Sequence, residues 1–177
     1  MTNPTKQSSP TSVPPSVWSN PWHFIAFGFG TGTMRKAPGT WGSLAALPFI
    51  PLLQMLSDWG YWLVVALSTL FGFWLCGKVA RDLRVHDHEG IVWDEIVGMW
   101  ITLWLVPEGW VWLLVGFLVF RFFDILKPWP ISWVDRNVHG GVGIMLDDLL
   151  AAVCAWLTMQ ALVWGWGHGG AAILGLA

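Results

Sequence analysis

The stretch WGYWLVVALSTLFGFWLCG, residues 59–77, contains no charged side chain. A helix that crosses the hydrocarbon core of a bilayer needs about 20 apolar residues in a row, with a range of about 17 to 25. This stretch meets that length requirement. It is therefore the clearest candidate for a membrane-spanning helix in the chain.

The composition of the whole chain also indicates a membrane protein. Of its 177 residues, 55% are hydrophobic and 11% are charged, and the mean hydropathy is +0.56. Because soluble domains carry roughly 25% charged residues, a soluble fold would lack polar side chains to cover its surface. Many of the 16 tryptophans flank apolar runs, as in the aromatic belts of membrane proteins. Tryptophan as core filler is the alternative explanation.

Further apolar stretches lie at residues 44–56, 91–106, 110–126 and 149–166. The first is short and interrupted by two prolines, and two of the stretches are marginal in length for a span. Residues 1–20 are rich in Pro, Ser and Thr, which predicts a flexible tail rather than a signal peptide. We predict an all-α fold, a polytopic membrane helical bundle with four to five apolar segments, formed by residues 21–177 as a single domain.

The charged residues and the two cysteines give no sign of nucleic-acid binding or of chemistry at a thiol. The net charge of −2 says nothing about nucleic acid, but no basic cluster is long enough to suggest such a partner, so we expect none. Cys76 and Cys154 lie inside apolar segments, and we interpret both as small hydrophobic residues.

The positive charges predict an orientation in the membrane. If every apolar segment crosses the bilayer, all nine Lys and Arg residues fall on one side, which the positive-inside rule makes cytoplasmic. The same topology brings four polar clusters to the cytoplasmic ends of the helices. These clusters are residues 31–43, 94–95, 121–127 and 147–148.

Acidic side chains lie at the boundaries of the apolar segments, namely Asp94, Glu95, Asp124, Asp147 and Asp148. Crowded carboxylates near hydrocarbon need a partner, and oxygen ligands of this kind suit Mg²⁺. Alternatively, the acids stabilise helix N-termini, a role that suits Asp147 and Asp148 well. The pattern favours a magnesium site, with Asp94, Asp124, Asp147 and Asp148 as the candidate ligands.

Arg121, Asp124 and Lys127 recur at every third position, which places them roughly on one face of a helix. Arginine and lysine suit the oxygens of a phosphate group. The alternative is an intrahelical pair between Arg121 and Asp124, with Lys127 reaching towards the membrane interface. The spacing alone favours neither interpretation.

A loop rich in glycine and hydroxyl side chains, residues 28–43, precedes the first apolar segment. Backbone N–H groups at the start of the following helix could hold an anion there, although the loop is not a Walker motif. Its candidate substrate-binding residues are Arg35, Thr40 and Ser43. The polar run HDHE at residues 86–89 is unlike known zinc sites in its spacing, and we interpret it as a solvated loop.

Four motifs, in order along the chain, resemble those of the phosphatidylglycerophosphatase A family. They are GTGTMRKAPGTWGS at residues 30–43, IVWDEIVGMW at 91–100, FRFFDILKPWPI at 120–131 and GIMLDDLLA at 143–151. The resemblance implies a magnesium-dependent phosphatase of the bacterial inner membrane that converts phosphatidylglycerophosphate to phosphatidylglycerol. It also carries over the acidic positions above and the two basic residues Arg121 and Lys127. The predicted catalytic residues are Asp94, Glu95, Asp124 and Asp148.

We expect direct hydrolysis of the phosphomonoester, with Glu95 or one of the aspartates as general base. Three alternatives remain. An alcohol phosphotransferase would build the same lipid, but its Asp-Gly-x2-Ala-Arg signature is absent. Another lipid phosphomonoesterase would share the same chemistry. A small ion-coupled transporter would place polar groups near the membrane midplane rather than at one end.

Overall fold

The computed structural model describes residues 13–85 and 88–167, and within these residues the chain forms helices and turns but no β-strand. The predicted all-helical class is therefore confirmed. In chain order the α-helices are α1 (Pro21–Ala26), α2 (Pro38–Ala46), α3 (Ile50–Gln54), α4 (Asp58–Asp82), α5 (Trp93–Thr102), α6 (Trp110–Leu126), α7 (Ile131–Asn137) and α8 (Gly140–Gly165).

The two longest of these helices, α4 and α8, pack against each other in antiparallel orientation. Gly77 of α4 lies beside Gly141 of α8, whereas Gly72 lies beside Met145, so the numbers run in opposite directions. A Cβ atom at Gly141 would be 2.3 Å from the Phe73 carbonyl oxygen, so glycine is needed for this close approach. Among the described residues, α4 and α8 are the two helices long and apolar enough to cross a membrane.

Helix α5 occupies the centre of the bundle, where it packs against α2 and α8. Its side chains Ile96, Val97 and Met99 are fully buried. The helix has 10 residues, which at 1.5 Å per residue is about 15 Å. The apolar stretch 91–106 therefore contains a short core helix that is too short to span a bilayer by itself.

The apolar stretch 44–56 is divided rather than continuous. It contains the end of α2, a 3₁₀ turn at Leu47–Phe49, and α3. Pro48 and Pro51 explain the break, because proline lacks the N–H group that a continuous α-helix requires. Gln54 at the end of α3 donates a side-chain hydrogen bond of 3.3 Å to the carbonyl oxygen of Val106. This contact joins the end of α3 to the residues that follow α5, at the end of the bundle away from the N-termini of α2 and α5.

Helix α8 begins at Gly140, well before the predicted apolar segment 149–166. Asp147 and Asp148 consequently lie within the helix, and the interpretation of these two residues as N-terminal capping groups is wrong. The same interpretation fits Asp94 and Glu95, which lie in the first turn of α5. Helix α8 begins before residue 149 because Ile144 and Met145 pack against the core, so the helix includes Asp147 and Asp148.

Part of the predicted tail belongs to the folded body. Pro15–Trp18 form a 3₁₀ turn, and the side chain of Val17 is fully buried. The Ser16 hydroxyl lies 3.0 Å from Nδ1 of His23, and Nε2 of His23 lies 3.3 Å from Asp82 at the end of α4. The remaining tail residues, 1–12, lie outside the described residues.

Candidate active site

Three carboxylates from two helices converge in the interior of the bundle. Asp94 and Glu95 come from the first turn of α5, and Asp148 comes from α8. One oxygen atom from each of the three side chains lies within 4.8 Å of the other two. Asp94 is 8% exposed and Asp148 is 4% exposed, so water screens this cluster of negative charge poorly.

These carboxylates line a small polar cavity of about 100 Å³. Asp124 and Lys127 reach it from the C-terminal end of α6, and Asp147 reaches it from α8. The described lining residues are His88, Glu89, Ile91, Asp94, Glu95, Asp124, Lys127, Ile144, Asp147 and Asp148. The cavity therefore gathers the five acidic residues that the sequence singled out, from three helices.

The carboxylate cluster fits a hard divalent cation. Oδ1 of Asp94, Oε2 of Glu95 and Oδ2 of Asp148 are buried, and none has a hydrogen-bond partner among the described residues. A buried polar atom without a partner costs free energy, and adjacent negative charges add repulsion. Oxygen donors of this type are the preferred ligands of Mg²⁺, and a cation among them would offset both costs.

The basic residues of α6 are held by acidic neighbours. Arg121 donates from Nη1 to Oδ2 of Asp124, so the predicted intrahelical pair is present. The same guanidinium lies close to Gly39, because a Cβ atom there would be 3.1 Å from Nη1. Arg121 thus stands between the carboxylates of the cavity and the start of α2.

Lys127 joins two helices at the edge of the cavity. Its Nζ atom lies 2.5 Å from Oδ2 of Asp147 on α8 and 2.7 Å from Oδ1 of Asp135 on α7. Burial opposes the charge of Lys127, but the two carboxylates outweigh it and raise the pKa of the lysine above its usual value. The residue has φ +43 and ends α6, because Pro128 disfavours helical backbone at the preceding position.

The glycine-rich loop reaches the site through its backbone. A Cβ atom at Gly39, in the first turn of α2, would lie 2.2 Å from Oε1 of Glu95. Ser43 is buried and donates its hydroxyl to the carbonyl of Gly39 at 2.9 Å. Thr40 is half-buried and Arg35 is exposed. Neither these two residues nor Ser43 line the described cavity, and their substrate-binding roles stay predictions.

The sequence interpretation missed His88. It was assigned to a solvated loop, but the side chain is 7% exposed and lines the cavity, so that assignment is wrong for this residue. Its neighbour Glu89 is exposed and also lines the cavity. The burial follows from a contact of the imidazole ring with Phe27, which the local sequence could not indicate. The other two members of the run, residues 86–87, lie outside the described residues.

The family model and two curated relatives carry the same name. The family model described as Phosphatidylglycerophosphatase A matches residues 24–163. Phosphatidylglycerophosphatase A of Escherichia coli is 55% identical over 136 residues, which cover 76% of this chain and 79% of the relative. The protein of the same name from Haemophilus influenzae is 48% identical over 145 residues, or 81% of this chain and 89% of the relative.

A third relative carries a different name. It is a Bacteroides thetaiotaomicron protein provisionally called a phosphatidylinositol-3-phosphatase, and it is 37% identical over 153 residues. The alignment covers 79% of this chain and 92% of the relative. No solved structure matches the chain.

Proposed function

Because the chain belongs to the phosphatidylglycerophosphatase A family, we propose that its carboxylate cavity is the site of hydrolysis and that bound Mg²⁺ is required there. The chain is a phosphatase that converts phosphatidylglycerophosphate to phosphatidylglycerol and phosphate. The observation that supports the location is the convergence of acidic residues from α5, α6 and α8 on one buried cavity. Every one of these residues lies within the matched region, residues 24–163.

Asp94, Asp124 and Asp148 would hold the ion in this proposal. Asp94 and Asp148 belong to the close cluster, and Asp124 lies beside Asp148. Asp147 stays a predicted fourth ligand, because it lines the same cavity, and its Oδ2 atom also engages Lys127. When bound, Mg²⁺ supplies positive charge that stabilises the phosphoryl oxygens and orients the phosphomonoester.

The remaining polar groups of the site bind the phosphate and move a proton. Arg121 and Lys127 supply positive charge against the phosphoryl oxygens, which is the main requirement of phosphoryl transfer. Glu95 is the general base, because Gly39 crowds its Oε1 atom while Oε2 is buried without a hydrogen-bond partner in the described residues. Oε2 accepts a proton from the attacking water, and Glu95 returns that proton, directly or through water, to the leaving alkoxide, which becomes the free hydroxyl.

We further propose that the protein is a multi-pass component of the bacterial inner membrane. Exposed apolar side chains form a stripe along α4, where Trp59 is 88% exposed and Leu63, Leu67 and Leu70 are also exposed. Exposed patches of this kind mark contact with lipid or with other proteins. Helix α6 has 17 residues and is apolar over most of its length, so it is a third candidate for insertion.

The positive charges support an orientation with the cavity towards the cytoplasm. The described Lys and Arg residues precede α2, end α4 and α6, or lie in α7, and all of these positions are at the cavity end of the bundle. The opposite end carries Asp58 and Glu108, and no described Lys or Arg lies there. Positive residues accumulate on the cytoplasmic side of inner-membrane proteins.

The family match bears on the alternative functions that the sequence left open. The family match names a phosphatase rather than an alcohol phosphotransferase or a transporter. Other lipid phosphomonoesters remain candidates for additional substrates of this enzyme, because the Bacteroides relative is named for a phosphoinositide. A cavity that recognises the phosphate group mainly by charge would accept more than one headgroup.

The proposal is tested by phosphate release from phosphatidylglycerophosphate in detergent micelles. We expect purified enzyme to lose turnover in EDTA and to regain it with added Mg²⁺. Asp94→Asn should lower kcat by about 100-fold or more, because it removes a charged oxygen from the cluster. Asp82→Asn, in the His23 and Lys78 network outside the cavity, should keep normal turnover. Full activity in EDTA would refute the metal requirement, and full activity of Asp94→Asn would refute the location.

A further inference from the structure

The cavity contains many acceptors and few donors for a phosphate group. Its described lining includes six acidic side chains, at positions 89, 94, 95, 124, 147 and 148. The side-chain donors in that lining are Lys127 and His88. A phosphomonoester carries several acceptor oxygens, so recognition in this cavity depends on how these two donors are held.

Lys127 is largely committed to the protein itself. Its ammonium group contacts Asp147 at 2.5 Å and Asp135 at 2.7 Å. An ammonium has three N–H donors, and these two contacts use two of them. Lys127 therefore offers charge to a substrate but little directional hydrogen bonding.

The structure determines which nitrogen of His88 is a donor. The backbone N–H of Gly90 donates to Nδ1 of His88 at 3.0 Å, so Nδ1 is the acceptor nitrogen. In a neutral imidazole one nitrogen accepts and the other carries the proton, which places the proton of His88 on Nε2. The ring is thereby a neutral donor and adds no charge to the site.

Packing fixes the position of this ring. The Phe27 ring, which is fully buried, lies 5.2 Å from the imidazole between centroids. The turn that carries His88 is pressed against the glycine-rich loop, because a Cβ atom at Gly32 would be 2.1 Å from the Gly90 carbonyl oxygen. The His88 carbonyl accepts a 2.8 Å hydrogen bond from the N–H of Ile91. A donor held in this way is preorganised for a ligand.

We propose that His88 is a substrate-binding residue whose Nε2–H donates a hydrogen bond to a non-bridging oxygen of the lipid phosphomonoester. The inference rests on the proposed hydrolytic site, since it assigns the bound group in the same cavity. His88 orients the phosphate by a directional neutral hydrogen bond, whereas Arg121 and Lys127 contribute charge. Its loss should therefore weaken binding of substrate and of inorganic phosphate.

Two substitutions separate this role from a structural role in the turn. His88→Gln places an amide N–H near the position of Nε2 but loses the acceptor for the Gly90 N–H. His88→Asn keeps an acceptor near Nδ1 but does not reach as far as Nε2. We expect His88→Gln to keep KM for phosphatidylglycerophosphate and the inhibition constant of inorganic phosphate within about 3-fold. His88→Asn should raise both constants about 10- to 100-fold, as for hydrogen bonds to charged groups.

The reverse ranking, with His88→Asn normal and His88→Gln impaired, would show that His88 only supports the turn and would overturn the proposal. Unchanged constants in both variants would overturn it too. KM and the inhibition constant do not depend on the fraction of enzyme that is folded, so a variant with low yield still distinguishes the two roles. Asp94→Asn reports on the hydrolytic site separately, because its activity tests the location of the cavity whatever His88 does.

Discussion

At the scale of single residues, the acidic positions of the cavity could be predicted because charge is conspicuous in an apolar chain. Asp94, Glu95 and Asp148 lie at the edges of long hydrophobic runs. An ionised group near hydrocarbon costs free energy unless it has a partner, so such residues indicate a functional site. The partners of these residues could not be predicted. The contact between Lys127 and Asp135, and the burial of His88, depend on the path of the chain between distant helices.

The bridge made by Lys127 leads to a prediction about stability. Lys127→Met removes the cation between Asp135 and Asp147 and leaves the two carboxylates without it. Because the lysine is partly exposed, we expect a loss of about 1–3 kcal/mol rather than the larger cost of a fully buried pair. Lys127→Arg should keep most of the stability. Thermal unfolding in detergent measures both, and equal midpoints for wild type and Lys127→Met would contradict the bridge.

The same bridge has a defined pH dependence. The pKa of Lys127 is raised in the folded protein, so its stabilising contribution is complete below the unfolded value of about 10.4 and is lost as pH rises through the folded value. The difference in unfolding midpoint between wild type and Lys127→Met should therefore be constant from about pH 7 to about pH 9. A difference that disappears within this range would show that the lysine is not held by both carboxylates.

At the scale of the elements, apolar runs indicated helices, but tertiary packing determined their boundaries. The run at 110–126 coincides with α6. The run at 149–166 predicts too late a start for α8, because buried residues such as Met145 extend the helix to Gly140. The run at 91–106 overestimates α5, whose last residue is Thr102. The separate helix α7 was not predicted, since it lies in a link that has mixed composition.

The contact of α2 with the cavity can be tested at one glycine. In Gly39→Ala the new Cβ atom would lie 2.2 Å from Oε1 of Glu95, so the carboxylate or the helix must move. A displacement near 1 Å in a reacting group costs about 100-fold in rate, and we expect a fall in kcat of that order.

The matched control is Gly165→Ala, which is exposed, helical and has no atom within 4 Å of the added methyl group. It should leave turnover unchanged, because the added methyl group meets no other atom at this last residue of α8. Phosphate release by the two variants under the same conditions gives the comparison. Equal turnover would show that the start of α2 has no part in positioning Glu95.

At the scale of the whole molecule, the topology explains why residues so far apart in sequence form one site. The chain passes between the two ends of the bundle in successive helices, and the acidic and basic residues of the site lie in the parts of these helices nearest the cavity. The one-sided charge distribution made this convergence predictable. The size of the cavity and the inclusion of His88 were not predictable, because both depend on side-chain packing.

The proposed orientation can be measured with single cysteines. In a background with Cys76 and Cys154 replaced by alanine, Met55→Cys places a thiol at the end opposite the cavity, where Met55 is 82% exposed. Asn137→Cys places one at the exposed end of α7, beside the cavity. A membrane-impermeant maleimide added to intact spheroplasts should label position 55 and not position 137. Labelling of position 137 alone, or of both, would contradict a cytoplasmic cavity.

The central claim is that acidic residues from separate helices hold one divalent cation, and Mn²⁺ binding followed by electron paramagnetic resonance tests it most directly. Mn²⁺ accepts the same oxygen ligands as Mg²⁺ and is visible without any turnover. We expect wild type and Asp82→Asn to bind Mn²⁺ equally, with Mg²⁺ in competition. Asp148→Asn should bind it at least about 10- to 100-fold more weakly. Equal Mn²⁺ affinity in wild type and Asp148→Asn would contradict the account.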